Sequence, residues 1–168
     1  FHDCFSPPVK GLLGKMGLRR NKFAKMLLHA LGIGDESGEQ PECTYCLPVL
    51  HDDGRLRFAP WRAGAALSTN RFGIPEPDVP ASSLLAAEAM ALVVAPLVAF
   101  DARGHRLGMG GGWYDRTFAF RRERAAPPHL VGAAFAAQQV ESVFPESWDM
   151  PLDALCTESD THLFQATP

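Results

Sequence analysis

The sequence predicts an α/β fold with three layers, a mostly parallel sheet flanked by helices. Two short apolar runs, Leu92–Ala95 and Leu130–Phe135, have the character of central strands covered on both faces. Between them Trp113–Arg124 reads as a helix, and strand, helix, strand in succession implies parallel pairing. Leu155–Thr157 supplies a short final strand.

The earlier elements follow from local chemistry. Leu12, Leu13, Met16, Phe23, Met26, Leu27, Ala30 and Leu31 recur near helical period, with Arg19, Arg20, Lys22 and Lys25 between them. Gly11, Gly14 and Gly17 each cost about 1 kcal/mol inside a helix, which moves the expected start toward Leu18. Gly32 and Gly34 end it. Thr44–Leu50 and Leu56–Trp61 read as two strands of a hairpin around the turn residues His51, Asp52, Asp53 and Gly54. Asn70–Pro80, with three prolines and Gly73, is expected as an extended surface loop. Ser82–Met90, alanine-rich and opened by a serine, is expected as a short helix.

Length and composition set bounds. A chain of 168 residues can bury one sizeable core, so a single domain over 1–168 is expected. Hydrophobic residues at 46% and charged residues at 21% exclude a disordered or fibrous class. A net charge of -3 offers no general attraction to nucleic acid or an anionic membrane, so any phosphate site must be local. The apolar stretch Ala89–Phe100 is too short for a membrane span, which needs roughly 20 residues. The opening residues lack the pattern of a secretory signal, and a cytoplasmic monomer is the expectation. The four cysteines are expected as reduced thiols. Cys43-Thr44-Tyr45-Cys46 has the spacing of half a zinc site, but no second half follows, and on a strand residues three apart face opposite ways.

The segment that carries chemistry runs from Arg106 to Arg116, after a buried strand and before a helix, where open α/β sheets bind ligands. Gly108, Gly110, Gly111 and Gly112 let backbone amides turn inward and let a ligand approach without a Cβ in the way. Arg106 and Arg116 flank them, and guanidinium groups grip phosphate oxygens two at a time. Asp115 is a carboxylate able to hold a magnesium ion that keeps part of its water shell. No Gly-Lys-Ser/Thr follows, and Trp113 stands where G-x-G-x-x-G needs its last glycine, so generic phosphate motifs stop at an anion loop. The competing reading is a glycine-rich turn that lets a helix pack closely on the sheet.

The string Arg106-Leu107-Gly108-Met109-Gly110-Gly111-Gly112-Trp113-Tyr114-Asp115-Arg116 resembles the R-L-G-x-G-G-G-[FYW]-Y-D-R signature of 5-formyltetrahydrofolate cyclo-ligases. The resemblance extends, in family order, to Leu47-Pro48-Val49, Phe72–Pro77, Val94–Asp101, Ala134–Gln139 and Trp148–Asp153 through Glu158. It implies ATP-dependent ring closure of 5-formyltetrahydrofolate, with ATP and Mg2+ as cofactors and no nucleic acid or membrane partner. It also implies that Arg106, Leu107, Gly108, Met109, Gly110, Gly111, Gly112, Trp113 and Tyr114 hold the ATP phosphates, that Met109–Trp113 also touch the folate, and that Asp115 and Asp149 bind magnesium. Arg106 and Arg116 then act on the transferring phosphoryl group.

Other readings stand beside these. Trp113 and Tyr114 offer flat faces to a ring or simply begin the helix core, and Asp149 is a metal ligand or a cap. Glu76, between two prolines, braces a turn or meets substrate, and Arg121, Arg122 and Arg124 form a solvated face from which one member reaches a folate tail. Residues 1–42 do not follow the family, so its N-terminal lysine and arginine and its folate-binding glutamate are not assignable. Relative to the family the chain is expected to be shortened. The alternatives to an active enzyme are therefore a domain that binds ATP or folate with impaired turnover, and a regulatory module that uses the glycine loop for packing.

Overall fold

The computed structural model describes residues 44–62 and 64–164. The expected helix near Leu18–Leu31 lies outside them, as does Cys43. The expected hairpin forms: β1 (Cys46–Leu50) runs antiparallel to β2 (Leu56–Pro60), with Leu50 opposite Leu56 across the His51–Gly54 turn. Its inward residues Leu47, Leu56 and Phe58 are buried, as the alternation of a half-covered strand requires.

The stretch 70–80 is more ordered than a loop. β3 (Leu67–Thr69) pairs antiparallel with β4 (Pro75–Pro77), and Asn70 makes the connection. Asn70 Oδ1 accepts from the amides of Phe72 and Ile74 at 2.9 and 3.0 Å, a side chain replacing backbone partners in a turn. Three prolines suggested a loop, and this small ribbon tolerates two of them in its edge strand.

The helix expected over Ser82–Met90 is instead two 3-10 turns, Ala81–Ser83 and Ala87–Ala89. The backbone of Leu85, between them, exchanges hydrogen bonds of 2.8 and 2.9 Å with Phe58 of β2, a tertiary pairing that overrides local helix preference.

β5 (Leu92–Ala95) begins the main sheet, as expected. The chain then makes a tight hairpin, β6 (Ala99–Phe100) with β7 (Arg106–Leu107), before the helix α1 (Trp113–Thr117) and a 3-10 turn over Ala119–Arg122. The expected helix to Arg124 is thus cut short. Thr117 is β-branched, and its hydroxyl donates to Trp113 O at 2.6 Å while accepting from Leu56 N of β2 at 2.7 Å.

β8 (His129–Ala133) lies parallel to β5 and to β9 (Ala154–Cys156), and β10 (Thr161–Leu163) closes the sheet antiparallel to β9. The strand order is β10-β9-β8-β5. Two of the three pairings in this sheet are parallel, as expected, and the helical flanks are sparser than expected. The sheet is mixed at its β10 edge, and the described residues are rich in strands, with α1 their one α-helix, five residues long. The core joins both parts: Phe118, Phe100 and Leu155 are almost wholly buried, and Phe118 meets Phe58, Tyr114 and Phe120 at ring separations of 6.2 Å. A buried phenylalanine of this kind contributes about 1.5–3 kcal/mol. No helix of the described residues is long and apolar enough to cross a membrane.

Candidate functional site

Arg106 leaves β7 and points inward. Its side chain is only 6% exposed, its Nη2 donates to Asp115 Oδ1 at 2.7 Å, and its guanidinium lies 5.6 Å from the Tyr114 ring. The Nε of this buried cation has no hydrogen-bond partner among the described residues. Leaving a buried charged donor unmet costs about 1–3 kcal/mol, so its position is one that an anion would satisfy. Burial pushes the Tyr114 phenol up to about 12, with the Arg106 charge pulling the other way, so the phenol stays protonated at neutral pH.

The loop between Arg106 and α1 is bent by its glycines. Gly110 and Gly112 have φ of 79° and 61°, conformations that a side chain resists, and Gly112 is the residue on which α1 begins. Arg116, from the last turn of α1, folds back over this loop. It donates to Gly111 O at 2.9 Å and to Gly54 O, in the β1–β2 turn, at 3.0 Å. Its guanidinium also stands 5.4 Å from the Trp113 ring. Met109, at the tip of the loop, is 91% exposed.

Of the two candidate metal ligands, Asp115 meets the peptide that follows Asp149. Asp115 Oδ1 also accepts from Met150 N at 3.1 Å, the amide directly after Asp149. Asp149 Oδ2 accepts from Glu146 N at 2.9 Å and closes a turn, and no helix starts at this residue for it to cap. Each carboxylate keeps a second oxygen without a partner among the described residues. No group of three or more His, Cys, Asp or Glu able to hold a metal lies among those residues. Two carboxylates with spare oxygens fit a hard cation that takes its other ligands from water and phosphate.

Other arginines fall elsewhere. Arg121, expected on a solvated face, is instead 8% exposed and forks onto Asp153 at 2.9 and 3.0 Å, and it also donates to Pro128 O. Asp153 Oδ2 accepts from Leu130 N at 2.6 Å, so this pair ties the segment after α1 to β8. Arg122 donates to Trp148 O. Glu76 proves to be a brace: its Oε1 accepts from Leu50 N and Asn70 Nδ2, each at 2.8 Å.

Sequence reasoning missed Asp101 and Arg71. Asp101 is wholly buried and accepts from the amides of Arg103 and His105 at 3.0 and 3.1 Å and from His105 Nδ1 at 3.1 Å, closing the β6–β7 turn one residue before Arg106. The Asp-x-x-Gly spacing of Asp101 and Gly104 carried that signal. Arg71, 5.7 Å from the Trp113 ring, carried none.

The model of the 5-formyltetrahydrofolate cyclo-ligase family matches residues 40–158. The chain belongs to that family. Among relatives named 5-formyltetrahydrofolate cyclo-ligase, that of Haemophilus influenzae is 42% identical over 108 residues, covering 63% of this chain and 57% of the relative. That of Escherichia coli K12 is 42% identical over 115 residues, covering 67% and 62%. The NMR structure of Aquifex aeolicus 5,10-methenyltetrahydrofolate synthetase superimposes with a TM-score of 0.60 at 30% identity, over 76% of this chain and 61% of that one. The chain therefore spans about three fifths of the length of the cyclo-ligases it matches. Arg106, the glycine loop, Asp115 and Asp149 all fall inside the matched residues.

Proposed function

We propose that this protein converts 5-formyltetrahydrofolate to 5,10-methenyltetrahydrofolate, using ATP and magnesium and releasing ADP and phosphate. The observation that carries the reading is the Arg106 side chain, buried beside a glycine loop with its Nε unmet among the described residues. Family membership supports the choice of reaction, and the names of the relatives favour turnover over binding alone.

The chemistry asks little covalent work of the protein. The γ-phosphoryl group moves to the formyl oxygen, N10 of the folate attacks the formyl carbon and loses its proton, and the carbon–oxygen bond breaks as phosphate leaves. Positioning and charge neutralisation dominate such transfers. Arg106 and Arg116 would take phosphate oxygens, the amides of Gly108–Gly112 would line the phosphates, and Met109–Trp113 would border the folate. Asp115 and Asp149 would hold magnesium, which when bound offsets negative charge on the phosphates. The three-layer architecture, the single domain over 1–168 and a cytoplasmic, monomeric state belong to the same proposal.

The test is the absorbance of 5,10-methenyltetrahydrofolate as it forms from 5-formyltetrahydrofolate, with ATP and Mg2+ present and with each omitted. Product that requires both establishes the activity. A folded sample that forms none under any condition rejects it.

A further inference from the structure

Beside the glycine loop, in addition to Arg106 and Arg116, stands a third cation that the phosphate chemistry does not use. Arg71 is exposed, and its guanidinium lies 5.2 Å from the Phe72 ring and 5.7 Å from the Trp113 ring, while the two rings meet edge to face at 6.5 Å. It makes no ion pair or hydrogen bond with any described residue, in contrast to Arg106, Arg116 and Arg121.

The turn that presents it is held firmly. Asn70 fixes the amides of Phe72 and Ile74, and Glu76 fixes both the Asn70 side chain and the last amide of β1. An arginine with free donors, placed over two aromatic rings and preorganised by a braced turn, suits a ligand with a flat body and a carboxylate.

We infer that Arg71, with Phe72 and Trp113, forms a receptor for the benzoylglutamate portion of the folate, its guanidinium taking a glutamate carboxylate. The inference deepens the proposed function and rests on it for the identity of the ligand. Phe72, 57% exposed, and Trp113 supply the surface against which the benzoyl ring lies, and Arg71 makes the site discriminate between folates with and without an acidic tail. Phosphate is the other anion within its chemistry, and the two are separable by experiment.

The experiment uses the full chain and reads binding rather than turnover. Tryptophan fluorescence is titrated with 5-formyltetrahydrofolate, with a tail-less analogue, 5-formyltetrahydropteroate whose benzoyl carboxyl is blocked as the methyl amide, and with ATP, for the wild type and Arg71→Ala. Arg71 bonds to nothing that the fold needs, so the variant should melt with the wild type. The wild type is expected to prefer the tailed folate by about tenfold, the loss that one charged hydrogen bond produces. Arg71→Ala should abolish that preference while leaving the tail-less analogue and ATP unchanged. Equal weakening of both folates, a loss confined to ATP, or a wild type with no preference for the tail would overturn the inference. A tail preference in a protein that forms no methenyl product would count against the proposed reaction alone.

Discussion

Arg106 Nη2 and Asp115 Oδ1 are 2.7 Å apart, so the arginine expected to meet phosphate and the carboxylate expected to meet magnesium neutralise one another. Asp115→Asn keeps an oxygen for Met150 N but removes the charge facing a cation that is 6% exposed. The expected cost is about 1–3 kcal/mol of stability, read by thermal melting, with the fold retained. Turnover should need at least about tenfold more Mg2+, the loss expected of a charged ligand. An unchanged magnesium requirement would remove Asp115 from the metal site.

Gly112 and Gly110 make a controlled pair. A Cβ on Gly112, at φ 61°, would come 2.7 Å from Arg116 Nη1, whereas a Cβ on Gly110, at φ 79°, meets nothing within 4 Å. Both alanine variants carry about 1–2 kcal/mol of left-handed strain. Only Gly112→Ala also pushes Arg116 off Gly111 O. ATP titration should therefore show a larger loss for Gly112→Ala than for Gly110→Ala at similar melting temperatures. Equal losses would mean that Arg116 contributes little to nucleotide binding.

Much of this was legible in the chain because apolar runs and turn residues are local signals. Leu92–Ala95 and the β1–β2 hairpin stand where they were expected. Leu85 was misread because its helical surroundings say nothing of Phe58, 27 residues earlier, whose backbone claims it. Arg121 was misread for the same reason: its partner Asp153 lies 32 residues away. The glycine loop and its flanking arginines could be singled out from residue types, but not the carbonyl of Gly54 that receives Arg116. β10 went unforeseen because its three residues give too short an alternation to read.

Asp101 sets an acid limit on stability. Burial alone would raise its pKa, but the His105 imidazole and the amides of His105 and Arg103 outweigh burial and hold the carboxyl below its usual value. A group whose folded pKa is depressed stabilises the protein above the unfolded pKa, about 3.9, and that contribution disappears as pH falls through the folded value. Asp101→Asn should lower stability at neutral pH by about 1–3 kcal/mol and flatten its decline below about pH 4. Urea unfolding at stepped pH checks this. Parallel curves for the two proteins would assign the acid sensitivity to other carboxylates.

The hydrogen bond from Met150 N to Asp115 spans 35 residues and crosses from the loop after β8 to the start of α1. The two acids are thus delivered by separate halves of the fold, one on each side of β8, and neither half contains the pair. Assembly of the sheet is then a checkpoint on competence: a nascent or clipped chain ending before Asp149 would carry the whole glycine loop yet lack one of the two carboxylates proposed for the metal. Proteolysis within 140–149 should in consequence silence the site while leaving the signature sequence intact.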